Sequence, residues 1–246
     1  MGSGRFLTFV SAALITLSCF ATSARTQTGS PKAEQSDEAE RASNAGAVLG
    51  EITSAPDQGI PEALLKRAQG IAVIPHVVKG AFGIGGRYGK GLVAQRNADG
   101  SWGTPLFIDI GGGSFGFQLG VQATDIVMVF TNREGILPLL KGKLKIGADA
   151  SATAGPVGRN VEVGTDILLK SAIYSYSRSR GLFAGVALDG AVLGLDDDAN
   201  KRVYGTSKAV TAGTPSAKLS ASAMGVVGPF IRALQKYVSA PEISRK

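Results

Sequence analysis

The chain has 246 residues, 34 of them glycine, and a formal net charge of +7 with one histidine and one cysteine. This histidine and cysteine content argues against a zinc site, which prefers nitrogen and sulfur ligands, and excludes an internal disulfide framework. The positive charge favours anionic partners, either nucleic acid or acidic lipid headgroups, and the length predicts one domain with a real core.

The N-terminus matches the pattern of a secretory signal. An uncharged apolar run at residues 6–21 follows Arg5, and small residues then lead to Ala24. We expect a signal peptide at residues 1–24 that is cleaved near Ala24, so that the protein is exported to the periplasm or cell envelope. Cys19 would leave with the peptide; alternatively, it ends a partial lipobox and is lipidated, or the apolar run stays as a membrane anchor.

Two helices are predicted before the first strand. Residues 25–36 are polar and turn-rich, so we expect a disordered lead there and a single domain over residues 37–246. Between residues 37 and 52 the apolar residues recur at helical spacing, namely Ala42, Ala45, Leu49 and Ile52. A second, short amphipathic helix follows Pro61 and ends near Ala68.

From Ile71 onward the pattern becomes that of strands. Short apolar runs at 71–74, 91–95 and 104–110 are separated by glycine-rich turns and by a hairpin signal at 97–100. The clearest strand covers 115–123, where apolar residues alternate with glycine and glutamine. One face of that strand is therefore apolar and the other is nearly bare backbone. The continuous apolar run 126–130 predicts a strand buried on both faces.

The second half of the chain continues this mixture of elements. Thr131 or Asn132 caps a short helix that ends near Leu140. Residues 173–180 alternate again, a glycine-spaced strand follows at 182–193, and two helical stretches end the chain. The predicted fold class is α+β: a mainly antiparallel, glycine-rich sheet or partly closed barrel with flanking N-terminal and C-terminal helices.

Residues 111–116, Gly-Gly-Gly-Ser-Phe-Gly, satisfy both the dinucleotide pattern G-x-G-x-x-G and the nucleophile elbow G-x-S-x-G. Both patterns need a helix to begin at the glycines, whereas a strand is predicted to follow. The elbow also needs a histidine downstream of Ser114, and His76 lies upstream. We therefore expect no catalytic residue, no cofactor and no enzymatic activity; a hydrolase that uses Ser114 is the remaining enzyme alternative.

Two further features raise the question of a metal. Asp196, Asp197, Asp198 and Asn200 offer oxygen ligands, but they lack the alternating spacing, the central glycine and the closing glutamate of a calcium loop. Capping of a helix at residues 199–204 is the favoured interpretation. A single histidine at a strand end is typical of a structural residue, so we expect no metal site.

Two basic features point to a binding function. Leu64 and Leu65 stand beside Lys66 and Arg67 in the second helix, and further basic residues follow at Lys79, Arg87, Lys90 and Arg96. The alternation after Ile173 places Tyr174, Tyr176, Arg178 and Arg180 on one side of a strand. Arginine matches phosphate oxygens bidentately and tyrosine suits a lipid interface. The alternatives are an ordinary helix packed on the core and a solvent-facing strand with cross-strand pairs.

Four blocks of the sequence, residues 66–93, 101–130, 147–159 and 174–193, resemble the SYLF domain in family order. The resemblance covers roughly residues 45–237. It implies lipid binding, because eukaryotic members bind phosphoinositides, and less firmly actin binding, which some members show. With its signal peptide the chain resembles the bacterial, exported members.

We therefore expect non-enzymatic binding of anionic phospholipid, with phosphoinositide-like headgroups implied by the resemblance, at a membrane surface. The alternative is a structural or adaptor protein of the cell envelope that binds a protein partner, actin-binding-like by resemblance, through the glycine-rich sheet face. Nucleic acid is not expected as a partner. The predicted lipid-binding residues are Leu64, Leu65, Lys66, Arg67, Lys79, Arg87, Lys90, Tyr174, Tyr176, Arg178 and Arg180.

Overall fold

A computed structural model describes residues 31–55, 59–82, 84–114, 120–158, 171–179, 182–205 and 215–238. The helices are α1 (Pro31–Ser54), α2 (Glu62–Arg67), α3 (Arg133–Leu140), α4 (Asp197–Tyr204) and α5 (Ala221–Tyr237), with a 3₁₀ turn at Ser216–Lys218. The strands are β1 (Gly70–Phe82), β2 (Ile84–Gln95), β3 (Leu106–Ser114), β4 (Gly120–Phe130), β5 (Lys143–Lys145), β6 (Ala152–Ala154), β7 (Ile173–Ser179), β8 (Leu182–Gly185) and β9 (Val192–Leu195).

The strands form one curled sheet in the order β5-β9-β3-β2-β1-β4-β7-β6, and β8 pairs with β7. Each described pairing is antiparallel except that of β6 with β7. The sheet is a half-barrel, and the N-terminal and C-terminal helices pack together beside it. This architecture confirms the predicted α+β class.

Each face of the sheet carries its own core because apolar residues of successive strand positions point to opposite sides. On one face, Ile71, Val73, Leu92 and Val127 pack with residues of α1, α2 and α5. The concave face buries Ile74, Val93, Ile108 and Ile126 with residues of α3, β5 and β9. The central strands are therefore covered on both sides, as the continuous apolar run in β4 predicts.

Helix α1 buries the predicted stripe of Ala42, Ala45, Leu49 and Ile52. Gly46 faces α5 so closely that a Cβ added there would lie 3.1 Å from the carbonyl oxygen of Pro229. Arg41 of α1 stacks over the ring of Phe107 in β3, and Glu51 near its other end contacts Arg178 in β7. The helix therefore crosses the sheet from β3 to β7.

The structure differs from the sequence prediction in two elements. Helix α1 begins at Pro31, so the last six residues of the expected disordered lead are helical. The expected single strand at 182–193 is instead two strands, β8 and β9, separated by a turn at Gly190 with φ 75°.

Several predictions fall outside the described residues. One is the signal peptide with Cys19. Another is the first part of the predicted strand 115–123, residues 115–119; the remainder of that strand is the start of β4. None of the described helices has both the length and the apolarity required to cross a bilayer.

Candidate functional site

The β1–β2 hairpin and its neighbours β3 and β4 continue beyond the line at which α1 crosses them. We call this part of the sheet, residues 78–82, 84–88, 111–114 and 120–123, the hairpin end, and the rest of the sheet with its helices the body. In β1, a bulge between Ile74 and Val77, seen in its pairing with β4, separates the hairpin end from the body. His76 lies in the bulge with φ 52°, and its backbone N–H donates to Asp125 Oδ1 over 2.9 Å.

The central feature of the hairpin end is a pair of cations. Lys79 and Arg87 are direct partners across β1 and β2, and Gln122 is the partner of Lys79 on β4. Directly opposite residues of an antiparallel pair have Cβ atoms about 5 Å apart on the same face. Alternation along β2 from buried Val93 places Arg87 on the concave face. The two positive side chains therefore lie side by side.

No carboxylate of the described residues forms a salt bridge with either cation. Burial lowers the pKa of the Lys79 ammonium below its ordinary value, and the Arg87 charge lowers it further. Burial also lowers the pKa of Arg87, and Asp189 opposes that effect. The Nε and Nη1 atoms of Arg87 are buried and have no hydrogen-bond partner among the described residues. Such donors are costly unless a ligand or ordered water satisfies them, so the pair forms a candidate anion site.

Arg178, by contrast, is neutralised within the body. Its Nη2 lies 2.6 Å from Asp125 Oδ2, its Nε donates to the same oxygen over 2.7 Å, and it also contacts the Glu51 carboxylate. It lies over the ring of Phe183 at 5.7 Å from the centroid. This predicted phosphate contact is a structural link between α1, β4 and β7.

Lys90 is also occupied. Its Nζ lies 3.4 Å from Asp196 Oδ2, and Arg41 Nη1 reaches the same oxygen at 3.0 Å. Although burial opposes the ionisation of Asp196, the pKa of this carboxyl is lowered by the Ala199 N–H, Arg41 and Lys90. The pKa of neighbouring Asp109 is raised by burial and by the Asp196 charge.

The second helix corrects the prediction of a membrane-inserting leucine pair. Leu64 is fully buried and Leu65 is 5% exposed, so both belong to the core in this conformation, as the alternative interpretation holds. Lys66 and Arg67 are exposed, and Lys66 Nζ pairs with Glu62 Oε1 at 2.7 Å. Lys66 lines a cavity of about 450 Å³ together with Lys236 and Tyr237. Because α2 precedes the start of β1, this basic end is remote from the hairpin end.

The tyrosines of β7 are a second correction. Tyr174 is 2% exposed and Tyr176 is fully buried, and the Tyr176 hydroxyl donates to the carbonyl oxygen of Pro156 over 3.0 Å. They share a face of the strand with Arg178 as predicted, but that face packs on the core below α1. Arg180 lies outside the described residues.

The sequence analysis assigned no specific role to Arg96. In the structure Arg96 is buried at the end of the sheet opposite the hairpin end, where it joins α2 to the end of α5. Its guanidinium donates to the carbonyl oxygens of Val238, Lys66 and Leu65 over 3.0, 3.3 and 3.4 Å, and it stacks on Trp102 at 4.7 Å from the ring centroid. The carbonyl groups at a helix C-terminus carry partial negative charge. No local pattern in the sequence identifies these partners.

The glycine motif has the backbone of a strand. Gly111 to Ser114 end β3 and pair with Gly85 to Tyr88 of β2, so no helix begins at these glycines. The structure thus lacks, at the described part of the motif, the helix N-terminus that a phosphate or a nucleophile elbow needs. Within the described ranges, no three His, Cys, Asp or Glu side chains are grouped so that they could hold a metal ion.

Comparison with known proteins places this domain in a family. A family model described as "Ysc84: Las17-binding protein actin regulator" matches residues 111–237. Protein YSC84 of Saccharomyces cerevisiae is 37% identical over 163 residues, which cover 64% of this chain and 35% of the yeast protein. SH3 domain-containing YSC84-like protein 1 of Homo sapiens is 36% identical over 157 residues, 63% of this chain and 46% of the human protein. The chain spans less than half the length of these curated relatives. Because the family model matches more than half of the chain, the chain belongs to the Ysc84 family, which is that of the SYLF domain.

Proposed function

We propose that this protein binds anionic phospholipid at a membrane surface without catalysing a reaction. The observation that carries the proposal is the pair of Lys79 and Arg87, adjacent on one face and lacking a salt bridge among the described residues. Two neighbouring cations repel each other, and a phosphate between them satisfies both. A phosphoinositide-like headgroup, implied by the family resemblance, offers more than one phosphate to such a pair.

The proposal narrows the membrane contact to two of the residues that the sequence predicts, Lys79 and Arg87. Arg178 and Lys90 are committed to Asp125 and Asp196, and Leu64 with Leu65 is committed to the core. Among the predicted basic residues, Lys79 and Arg87 are the pair of direct cross-strand partners that an external anion can engage together. The export and envelope location expected from residues 1–24 stays a prediction that this proposal does not require.

Sedimentation with vesicles tests the proposal. Wild-type protein should bind vesicles of phosphatidylcholine mixed with phosphatidylglycerol at low salt and ignore phosphatidylcholine alone. Binding should weaken as salt rises, since the Debye length falls to about 10 Å at 0.1 M. Each basic residue at an anionic surface contributes about 1 kcal/mol, so Lys79→Met with Arg87→Met should lower affinity about 30-fold.

The matched control is Lys66→Met with Arg67→Met, which removes the same two residue types from exposed positions of α2, at the other end of β1. This control should keep most of the affinity. Equal losses in the two double variants would mean that only total charge matters, and absence of binding to anionic vesicles by folded wild-type protein would refute the proposal.

A protein partner is the second candidate function, and the family description favours it, since that description names a Las17-binding actin regulator. Cosedimentation with filamentous actin tests it directly. Binding that persists in Lys79→Met with Arg87→Met, in the absence of vesicle binding by any variant, would select this candidate over the lipid.

A further inference from the structure

Beyond α1, part of the sheet face on which this helix packs is uncovered in the described structure. Alternation along β2 from Leu92, which packs with the helices, places Lys90 and then Tyr88 on this helix-side face. Cross-strand pairing extends the row of Tyr88 over six strands, through Lys145, Val192, Gly111, Tyr88, Val78 and Ala123. The next row toward the β1–β2 turn consists of Gly113, Gly86, Gly80 and Val121. We call these two rows the bare strip.

The bare strip is apolar and nearly flat. Val78 and Tyr88 are direct partners, and they are 44% and 55% exposed. A Cβ added to Gly80 or to Gly111 would meet no atom within 4 Å. The strip therefore exposes bare backbone beside two large apolar side chains, and a partner can approach that backbone closely.

Helix α1 runs alongside the bare strip. Arg41 of α1 and Lys90 of β2 pair with the same carboxylate, that of Asp196. Tyr88 comes two residues before Lys90 in β2, which is about 7 Å of strand. Because a helix is about 10 Å across, a flat partner would touch α1 before it reached the glycines of the strip. Packed helices lie about 8–10 Å apart, so the space beside α1 fits one further helix.

The charges at one end of the bare strip indicate the kind of helix. Lys145 ends the row on β5, and Lys143 lies two positions away on the same face of that strand. Both lysines are exposed, and neither forms a salt bridge with a carboxylate of the described residues. Asp149, which accepts the Lys145 N–H over 2.7 Å, offsets part of this charge. The other members of the strip are uncharged. A complementary helix therefore has an apolar side and acidic residues over β5.

We propose that the bare strip binds an acidic amphipathic helix of a partner protein, which lies beside α1. Its apolar side contacts Tyr88, Val78 and the glycines, and its acidic residues face Lys143 and Lys145. Six strands span about 24 Å, which matches roughly 16 helical residues. The strip lies on the opposite face of the sheet from Lys79 and Arg87, so the proposal goes beyond the anion site and does not depend on it.

Fluorescence anisotropy with two labelled peptides tests the proposal. The acidic probe is a helix of about 16 residues with leucine and alanine on one side and glutamate on the other, and the basic probe has lysine in place of glutamate. Wild-type protein should bind the acidic probe and not the basic one. Lys143→Met with Lys145→Met should weaken binding about fivefold, because exposed ion pairs are lost. The charge-matched control Lys66→Met with Arg67→Met should bind as the wild type does.

A substitution on the bare backbone tests the close approach. A Cβ added to Gly86 would meet only the Gly112 carbonyl oxygen, at 4.0 Å, so the fold tolerates a side chain there. Gly86→Gln should lower affinity for the acidic probe about tenfold, because its side chain occupies the space of the helix, and it should keep the wild-type unfolding temperature.

An indole in the strip reports where the probe lies. Trp102 is 4% exposed and gives a constant background. The acidic probe should shift the emission of Tyr88→Trp to the blue and leave that of Leu137→Trp, an exposed position in α3, unchanged. Equal binding of both probes, unchanged affinity in Gly86→Gln, equal shifts in the two tryptophan variants, or no binding by folded wild-type protein overturns the proposal. Vesicle binding is measured separately, so these outcomes leave the proposed function standing.

Discussion

The body and the hairpin end contain the same kinds of residue on the same strands, but they differ in whether their positive side chains form salt bridges. In the body, Arg41 pairs with Asp196, Arg178 with Asp125 and Arg202 with Glu38, at 3.0, 2.6 and 2.8 Å. At the hairpin end, Lys79 faces Arg87. A basic residue therefore indicates an anion site only when the fold does not place it in a salt bridge.

Packing explains this difference. The carboxylates of Glu38 and Asp125 are 1% and 8% exposed, and a charge that is removed from water must be paired to be tolerated. The body is covered on both faces and satisfies this condition internally. The hairpin end extends past the helices, so solvent or an external anion can satisfy its charges.

The largest expected effect on stability is that of a substitution at Asp125, in the body. We expect Asp125→Ala to lower the free energy of unfolding by about 3 kcal/mol, because it leaves the His76 N–H without its acceptor and leaves Arg178 with the partly exposed Glu51 alone. Denaturant unfolding measures the change. Glu40→Ala, which removes an exposed acid from α1, should change stability by less than about 0.5 kcal/mol. Similar losses in the two variants would show that the Arg178 pair does not hold the body together.

Substitutions at two glycines, one in the body and one at the hairpin end, should have a smaller effect on stability. A Cβ on Gly91, in the body, would contact the Val73 carbonyl oxygen and lie 2.7 Å from Ile74 Cα. Gly91→Ala should therefore destabilise the fold by about 2 kcal/mol, whereas Gly80→Ala, at the hairpin end, should be nearly neutral. Thermal unfolding of the pair provides the test, and a large loss in Gly80→Ala would mean that the hairpin end is covered after all.

The smallest expected effect is a gain in stability and not a loss, and it concerns Lys79 and Arg87. Since burial lowers the pKa of both Lys79 and Arg87, their charged forms cost stability at pH values below these lowered values. Lys79→Met with Arg87→Met should therefore unfold at the same or a slightly higher temperature at neutral pH. The gain should shrink as Lys79 loses its proton in the wild type, below its ordinary pKa of 10.5. Arg41→Met should instead lower the unfolding temperature, and an equal fall in both variants would contradict the distinction.

Signals confined to a few neighbouring residues predicted most of the fold. Asn132 accepts the Gly135 N–H and Asp196 accepts the Ala199 N–H, as the capping patterns indicate. The helical stripe of α1 and the short apolar runs of β1, β2 and β4 also predicted these elements. In each case the residues that determine the element lie within a few positions of one another.

The site was harder to predict because its partners are distant in sequence. Alternation shows that Tyr174, Tyr176 and Arg178 share a face, but it does not show whether α1 covers that face. Arg178 and Asp125 are separated by 53 positions, so a basic strand face looked free when it was paired. Lys79 and Arg87 were among the predicted lipid-binding residues, but only the strand register shows that they are direct partners across β1 and β2.

The packing of α1 on α5 has a consequence for biosynthesis. Helix α1 packs on α5, Glu38 bonds Arg202 across 164 positions, and Arg96 bonds the carbonyl oxygen of Val238 across 142 positions. The apolar stripe of α1 therefore has no complete partner surface until α5 has left the ribosome. Closure of the domain has to wait for α5, and any factor that holds the chain unfolded before then acts on α1 and the helix-side face of the sheet.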